Sequence, residues 1–155
     1  MVIDNEVFGK LTFDCMWFKD DKILFGEKEM DIVILIAGDE DEEIEEGQYE
    51  AYKMLMNKWS DIQKILLEAI LDYYKNIREE LGYDVELNTK YPNISTTTEL
   101  LNYITLVGIK IPYAEMYGGR SIGLGFDCTW DEENGLGIRL SNEKVIEVGF
   151  QDVSI

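Results

Sequence analysis

The chain of 155 residues has no histidine, two cysteines, two prolines, and 14 Lys plus Arg against 32 Asp plus Glu. Each shortage excludes something. Without histidine there is no ordinary general base near neutral pH and no imidazole metal ligand, so Ser-His-Asp triads, Cys-His pairs and histidine-based zinc sites are out of reach. A formal charge of −18 with no locally basic window repels phosphate backbones and anionic lipid surfaces, so neither nucleic acid nor membrane is expected as a partner. No run of 18 apolar residues occurs, and Met1-Val2-Ile3-Asp4-Asn5-Glu6 carries neither a basic n-region nor an apolar h-region. The expectation is a soluble, cytoplasmic protein, in which Cys15 and Cys128 read as buried thiols rather than a disulfide.

What is present suffices for a folded body. Hydrophobic residues make up 46% of the chain and aromatic residues 12%, far from the composition of disordered segments, and the length predicts a single domain over 1–155. The excess charge is uneven. Residues 1–46 hold 15 acids and 4 bases, 47–81 hold 6 and 5, 82–120 hold 4 and 3, and 121–155 hold 7 and 2. The surplus therefore sits at the two ends of the sequence. Its densest part is Asp39-Glu40-Asp41-Glu42-Glu43-Ile44-Glu45-Glu46. Three readings are open for it: a solvated loop favourably placed before a helix N-terminus, a contact for a cationic partner, and a loose calcium loop without the spacing or central glycine of an EF-hand.

Residues 7–36 are rich in β-branched and aromatic residues and predict an antiparallel meander, with a turn at Lys19-Asp20-Asp21-Lys22. Residues 121–150 have the same character, with turns at Asp131–Gly135 and Ser141-Asn142-Glu143. Between them Tyr52, Leu55, Trp59, Ile62, Leu66, Ala69, Tyr73 and Ile77 recur at steps of three and four, the mark of one long helix or two consecutive ones, with a break near Trp59-Ser60 and a stop at Gly82. Residues 83–95 read as a loop, Thr96 with Glu99 as the capping box of a short helix through about Tyr103, and Thr105–Ile111 as a strand ended by Pro112. The fold class predicted is α+β, with antiparallel β meanders from both termini packed around a long central helix or helix pair.

Phe13-Asp14-Cys15-Met16-Trp17 recurs as Phe126-Asp127-Cys128-Thr129-Trp130. Strand alternation would put Phe, Cys and Trp of each copy in the core and Asp14 and Asp127 outside; the functional counterpart is a carboxylate pair formed by those two aspartates. Gly123-Leu124-Gly125 is a G-x-G without the third glycine of a phosphate cradle, and no G-x-S-x-G, C-x-x-C or P-loop spacing occurs.

The stretch Trp130-Asp131-Glu132-Glu133-Asn134-Gly135-Leu136-Gly137-Ile138-Arg139, followed by Val148-Gly149-Phe150-Gln151-Asp152, resembles the closing signature of a family of small acidic bacterial proteins classed only as a domain of unknown function. Asn134 stands where that signature has histidine and Phe150 where it has tyrosine. Members of such families are often encoded beside polymorphic or contact-dependent toxins, so the resemblance implies an immunity role and supplies no catalytic residue. The expectation is a non-catalytic binding protein that blocks a cationic partner, such as a toxin domain. Its contacts would come from Asp39, Glu40, Asp41, Glu42, Glu43, Glu45 and Glu46 with the acidic turns at 20–21 and at Asp131, Glu132 and Glu133, and its anchors from Tyr83, Tyr91, Tyr113 and Tyr117. No cofactor and no metal is expected. The alternatives are a carboxylate-dependent hydrolase or metal-dependent enzyme, which needs two acids converging in a pocket, and a homo-oligomer that pairs its apolar helix face.

Overall fold

Alternation along β4 (Lys28–Ile36) shows how the chain divides its faces. Met30, Ile32, Ile34 and Ile36 are buried on one side, while Glu29, Asp31, Val33 and Leu35 point to the other. A similar alternation runs along β3 (Met16–Phe25), and along β5 (Ile104–Ile111) with a register shift between Leu106 and Gly108, whereas β6 (Ser121–Cys128) and β7 (Leu136–Ser141) are largely buried on both faces. In the computed structural model, which describes residues 1–82, 89–117 and 119–155, these strands join β1 (Val2–Asn5), β2 (Gly9–Asp14) and β8 (Lys144–Gly149) in one eight-stranded sheet of order β1 to β8. Neighbouring strands are antiparallel except β4 and β5, which run parallel. The helical segment is the crossover that a parallel pair requires.

α1 (Glu46–Asn57) and α2 (Trp59–Glu80) are separated at Lys58, where the break was expected, and Gly82 follows with φ +78°. Ile62, Leu66, Leu67, Ile70, Leu71 and Tyr74 form the buried face of α2 and share one continuous core with the inward residues of the sheet. Tyr74 packs on Trp130 with ring centroids 4.5 Å apart, and the Trp59 indole donates to the Leu24 carbonyl at 2.6 Å. That apolar face is therefore taken up within its own chain. α3 (Thr97–Leu100) begins at its predicted cap, the Thr96 hydroxyl accepting from the Glu99 amide at 3.1 Å, but it ends three residues earlier than expected.

The chain is α+β, with the sheet dominant. The two meanders do not wrap the helices; they meet edge to edge through β4 and β5. Further corrections concern the first meander. Lys19–Lys22 is the middle of β3, not a turn, because all four residues pair with β4, Lys19 opposite Ile34 through Lys22 opposite Asp31; Lys19 also bonds the Phe8 carbonyl at 2.7 Å and pairs with Asp21 at 3.1 Å, which satisfies the polar pair inside the strand. The reversal lies instead at Gly26-Glu27, both with positive φ. The first pentapeptide is itself a turn: Phe13 pairs with Trp17 and Asp14 with Met16 around Cys15, which is exposed with φ +65°. Its second copy is the end of β6 with Cys128 and Trp130 buried. The repeat is thus one of residues and not of conformation, and both aspartates are exposed.

The sheet's second face is covered at its β6–β7 side by a C-terminal 3-10 helix (Gln151–Ser154). Gly123 makes room for it: a Cβ there would overlap the Ser154 backbone, and at Gly137 one would lie 2.5 Å from the Phe150 carbonyl oxygen. This accounts for the G-x-G as a seat for backbone, not phosphate.

Candidate functional site

The acidic run begins where the parallel ladder ends. The Ala37 amide bonds the Ile111 carbonyl at 3.0 Å, extending the β4–β5 pairing by one residue. Gln48, 1% exposed, then fixes the start of α1 to that junction. Its Nε2 donates to the carbonyls of Ala37 at 2.8 Å and Ile111 at 3.3 Å, and its Oε1 accepts from the Glu45 amide at 3.0 Å. Ile44 is buried between these points, so the intervening acids are held on an anchored loop.

A second segment supplies more acid. Asn5 closes the β1–β2 turn by accepting from the amides of Val7 at 2.8 Å and Phe8 at 2.9 Å, and its Nδ2 donates to the Tyr49 hydroxyl on α1 at 2.8 Å. The N-terminal hairpin is thereby brought against the acidic run. Between the two lies a pocket of about 650 Å³ lined by Asp4, Glu6, Glu40, Glu42, Glu43 and Glu46 together with Ile3, Asn5, Trp17, Ile44 and Tyr49. No lysine or arginine lines it, and among the described residues none of the six carboxylates makes an ion pair. Trp17 is 2% exposed, and its Nε1–H has no hydrogen-bond acceptor among the described residues. The arrangement offers many acceptors on a partly apolar wall. Chemically it suits ammonium or guanidinium groups, whose approach such a concave surface of one sign favours.

The other expected site residues are dispersed. Asp39 borders a different cavity beside Tyr113, Asp41 is exposed outside both, and Glu45 accepts from the Ala114 amide at 2.9 Å. Asp131 holds its own turn, accepting from the Asn134 amide at 3.0 Å; Glu132 lines a shallow recess with Asp127 and Tyr103, and Glu133 borders a groove on the second sheet face. Ile104 of β5 pairs with Cys128 while Ile111 pairs with Ile36, so the 131–133 turn and the 39–46 run lie at opposite ends of β5, about 23 Å apart at 3.3 Å per residue. They do not form one surface. Asp20 is exposed in mid-strand and Asp21 is paired with Lys19. Of the expected aromatic anchors, Tyr91 stacks on Tyr74 and Tyr113 and Tyr117 lie on the second-face side, while Tyr83 falls outside the described residues. Asp4 and Glu6 were missed; the Asn5 turn after the β-branched pair Val2-Ile3 was the available signal.

Elsewhere, Glu143 in the β7–β8 turn takes two bonds from Arg120, at 2.8 and 2.9 Å, and lies 3.9 Å from Lys58 at the α1–α2 break. The Arg120 hydrogen bonds hold its carboxyl below the usual range, against the opposing effect of burial. Burial pushes the Cys128 thiol up to about 11.

Among the described residues no three His, Cys, Asp or Glu side chains are placed to hold a metal ion, and no helix is long and apolar enough to cross a membrane. No curated protein and no solved structure matches the chain. A family model does, over residues 7–155, and on that extent the chain belongs to the family described as Domain of unknown function (DUF6985).

Proposed function

We propose that this is a non-catalytic cytoplasmic binding protein of the toxin-immunity type, whose acidic pocket receives a cationic segment of a protein partner and blocks it. The observation that carries the reading is the convergence of six unpaired carboxylates from two chain segments on one concave wall. A single exposed ion pair contributes roughly 0–1 kcal/mol. Six carboxylates of one sign in a recess act together, raising the encounter rate and selecting the partner by charge. The apolar members Ile3, Trp17 and Ile44 give an incoming Lys or Arg stem a surface to lie on.

The test pairs two probes. Deca-lysine reports cation recognition, and a cationic enzyme encoded beside the chain reports inhibition. Affinity is measured at low and physiological salt for the native chain, for Glu40→Lys/Glu42→Lys/Glu43→Lys, and for Glu132→Lys/Glu133→Lys as a control at the far end of β5. The expected result is loss of both binding and inhibition in the triple variant, retention in the control, and weakening of about tenfold with salt. Equal binding by the two variants, or salt-independent binding, would overturn the proposal.

A further inference from the structure

The sheet of order β1 to β8 has two open edges, and they are not alike. β8 begins with Lys144, and its register with β7 shifts between Arg139 and Leu140, so it carries a lysine and a bulge, two devices that discourage a further strand. β1 has neither. It pairs with β2 in unbroken register, from Val2 opposite Thr12 to Asn5 opposite Gly9.

The ladder decides which backbone groups of β1 are spent. The Phe13 amide donates to the Met1 carbonyl at 3.0 Å, so the pair in which Met1 faces Phe13 is a hydrogen-bonded one. Antiparallel pairs alternate. Ile3 with Leu11 and Asn5 with Gly9 are therefore the next bonded pairs, and the N–H and C=O groups of Val2 and Asp4 turn away from β2 towards the open edge. Both residues are exposed, and among the described residues no hydrogen bond outside the ladder reaches either backbone.

This edge opens on the acidic pocket. Ile3, Asp4 and Asn5 line the pocket in succession, so it follows the strand and not one of its faces alone. Ile3 lies opposite the buried Leu11, which marks the side of β1 that faces the core and the pocket wall at Trp17 and Ile44. A strand added beside β1 would lie about 4.8 Å from it and send alternate residues to that side, among the carboxylates of Glu40, Glu42, Glu43 and Glu46. Backbone pairing would hold such a strand, and the pocket would read every second side chain. Six carboxylates without a cation select lysine or arginine for those positions.

We propose that the partner's cationic segment docks on β1 as a ninth strand of the sheet, hydrogen-bonded to Val2 and Asp4, with a lysine or arginine at every second position entering the acidic pocket. This rests on the cation-binding reading above and adds how the segment is held.

The probe is an octapeptide alternating lysine with threonine, compared with the same peptide N-methylated at every residue, which keeps the charge and loses every backbone donor. The plain peptide is expected to bind at least tenfold more tightly. Amide exchange followed by NMR should show Val2 and Asp4 becoming protected in its complex, while Ile3 and Asn5 are protected with or without it. Val2→Pro removes an outward N–H from an edge strand at no change of charge. It is expected to bring the plain peptide close to the methylated one, whose own affinity it leaves alone. The peptide pair and the exchange measurement need no variant, so they decide the matter even if Val2→Pro unfolds β1. Equal, salt-sensitive binding of the two peptides, or free exchange at Val2 and Asp4 in the complex, would overturn strand addition and leave the acidic pocket standing as a cation site. Binding by neither peptide would overturn both readings.

Discussion

The Ser154 backbone occupies the space that a side chain would need at Gly123. The 3-10 helix bearing Ser154 is thus seated on the sheet by an absence of side chain, and the seat can be removed. Gly123→Ala is expected to cost about 1–3 kcal/mol, the range for overpacking a closed contact. Gly108→Ala, where a Cβ would meet the Val33 carbonyl oxygen at an ordinary 3.5 Å, is expected to stay within about 0.5 kcal/mol of the native chain. Urea denaturation of the two variants side by side checks this, and equal stabilities would refute the seat.

The two thiols should separate sharply. Cys15 is exposed at a turn tip, whereas Cys128 is buried, donates to the Asp131 carbonyl at 3.6 Å and has its pKa raised to about 11. Since the thiolate is the reactive form, a chromogenic disulfide reagent at pH 8 should modify one thiol per native chain quickly and the second only on unfolding. Cys15→Ser should remove the fast phase. Two fast thiols would contradict the burial of the second pentapeptide.

Glu143 gives a pH dependence of defined sign. Its folded pKa is depressed by Arg120, so its stabilisation is present above the ordinary carboxylate pKa and is lost as pH falls through the lower folded value. Because Arg120 is about a third exposed, with 36% of its side-chain surface open to solvent, solvent screening limits the effect to about 1 kcal/mol or less. Glu143→Gln should be less stable than the native chain at pH 7 and converge with it in acid, where both carry a neutral side chain. A gap that widened on acidification would reverse the assignment.

Gln48 is the polar pin of the acidic loop. Gln48→Leu leaves the Glu45 amide and the Ala37 carbonyl without this partner inside the protein, and is expected to cost about 2–4 kcal/mol, from loss of a buried network with partners left unsatisfied. It should also weaken deca-lysine binding without changing any charge, by loosening the loop that carries Glu40, Glu42 and Glu43. Chemical denaturation and the same titration read the two effects separately. Full stability in Gln48→Leu would show that the pin is dispensable.

Much of the secondary structure was legible because its signals are local. The three-and-four spacing gave the helix pair, Thr96 with Glu99 gave the start of α3, and Pro112 gave the end of β5. Residues 19–22 misled because Lys-Asp-Asp-Lys is turn chemistry by composition; it is the long-range ladder with β4, Lys19 opposite Ile34 through Lys22 opposite Asp31, that makes it a strand. The pentapeptide misled for a related reason: identical residues take the conformation their pairing imposes, and Cys15 sits where β2 must reverse into β3. The density of the acidic run was visible in the sequence. Its division was not, since Glu45 accepts from the Ala114 amide and Asp39 borders a cavity shared with Tyr113, both far along the chain. Nothing in the charge count could show Asp4 and Glu6 joining the run, because that follows from a hydrogen bond between Asn5 and Tyr49.

The parallel junction of β4 and β5 has a consequence for how the chain assembles. Every other strand pairing joins neighbours a short connection apart, so each meander can form early, while the β4–β5 seam closes the longest loop between paired strands, from Ile36 to Ile104, and is expected to form later. The acidic pocket lies at the end of that seam, built from the loop leaving β4 and a helix pinned to both strands. The acidic cleft is thereby placed among the last features to appear during folding, and a partially folded chain would carry the charge without the cleft.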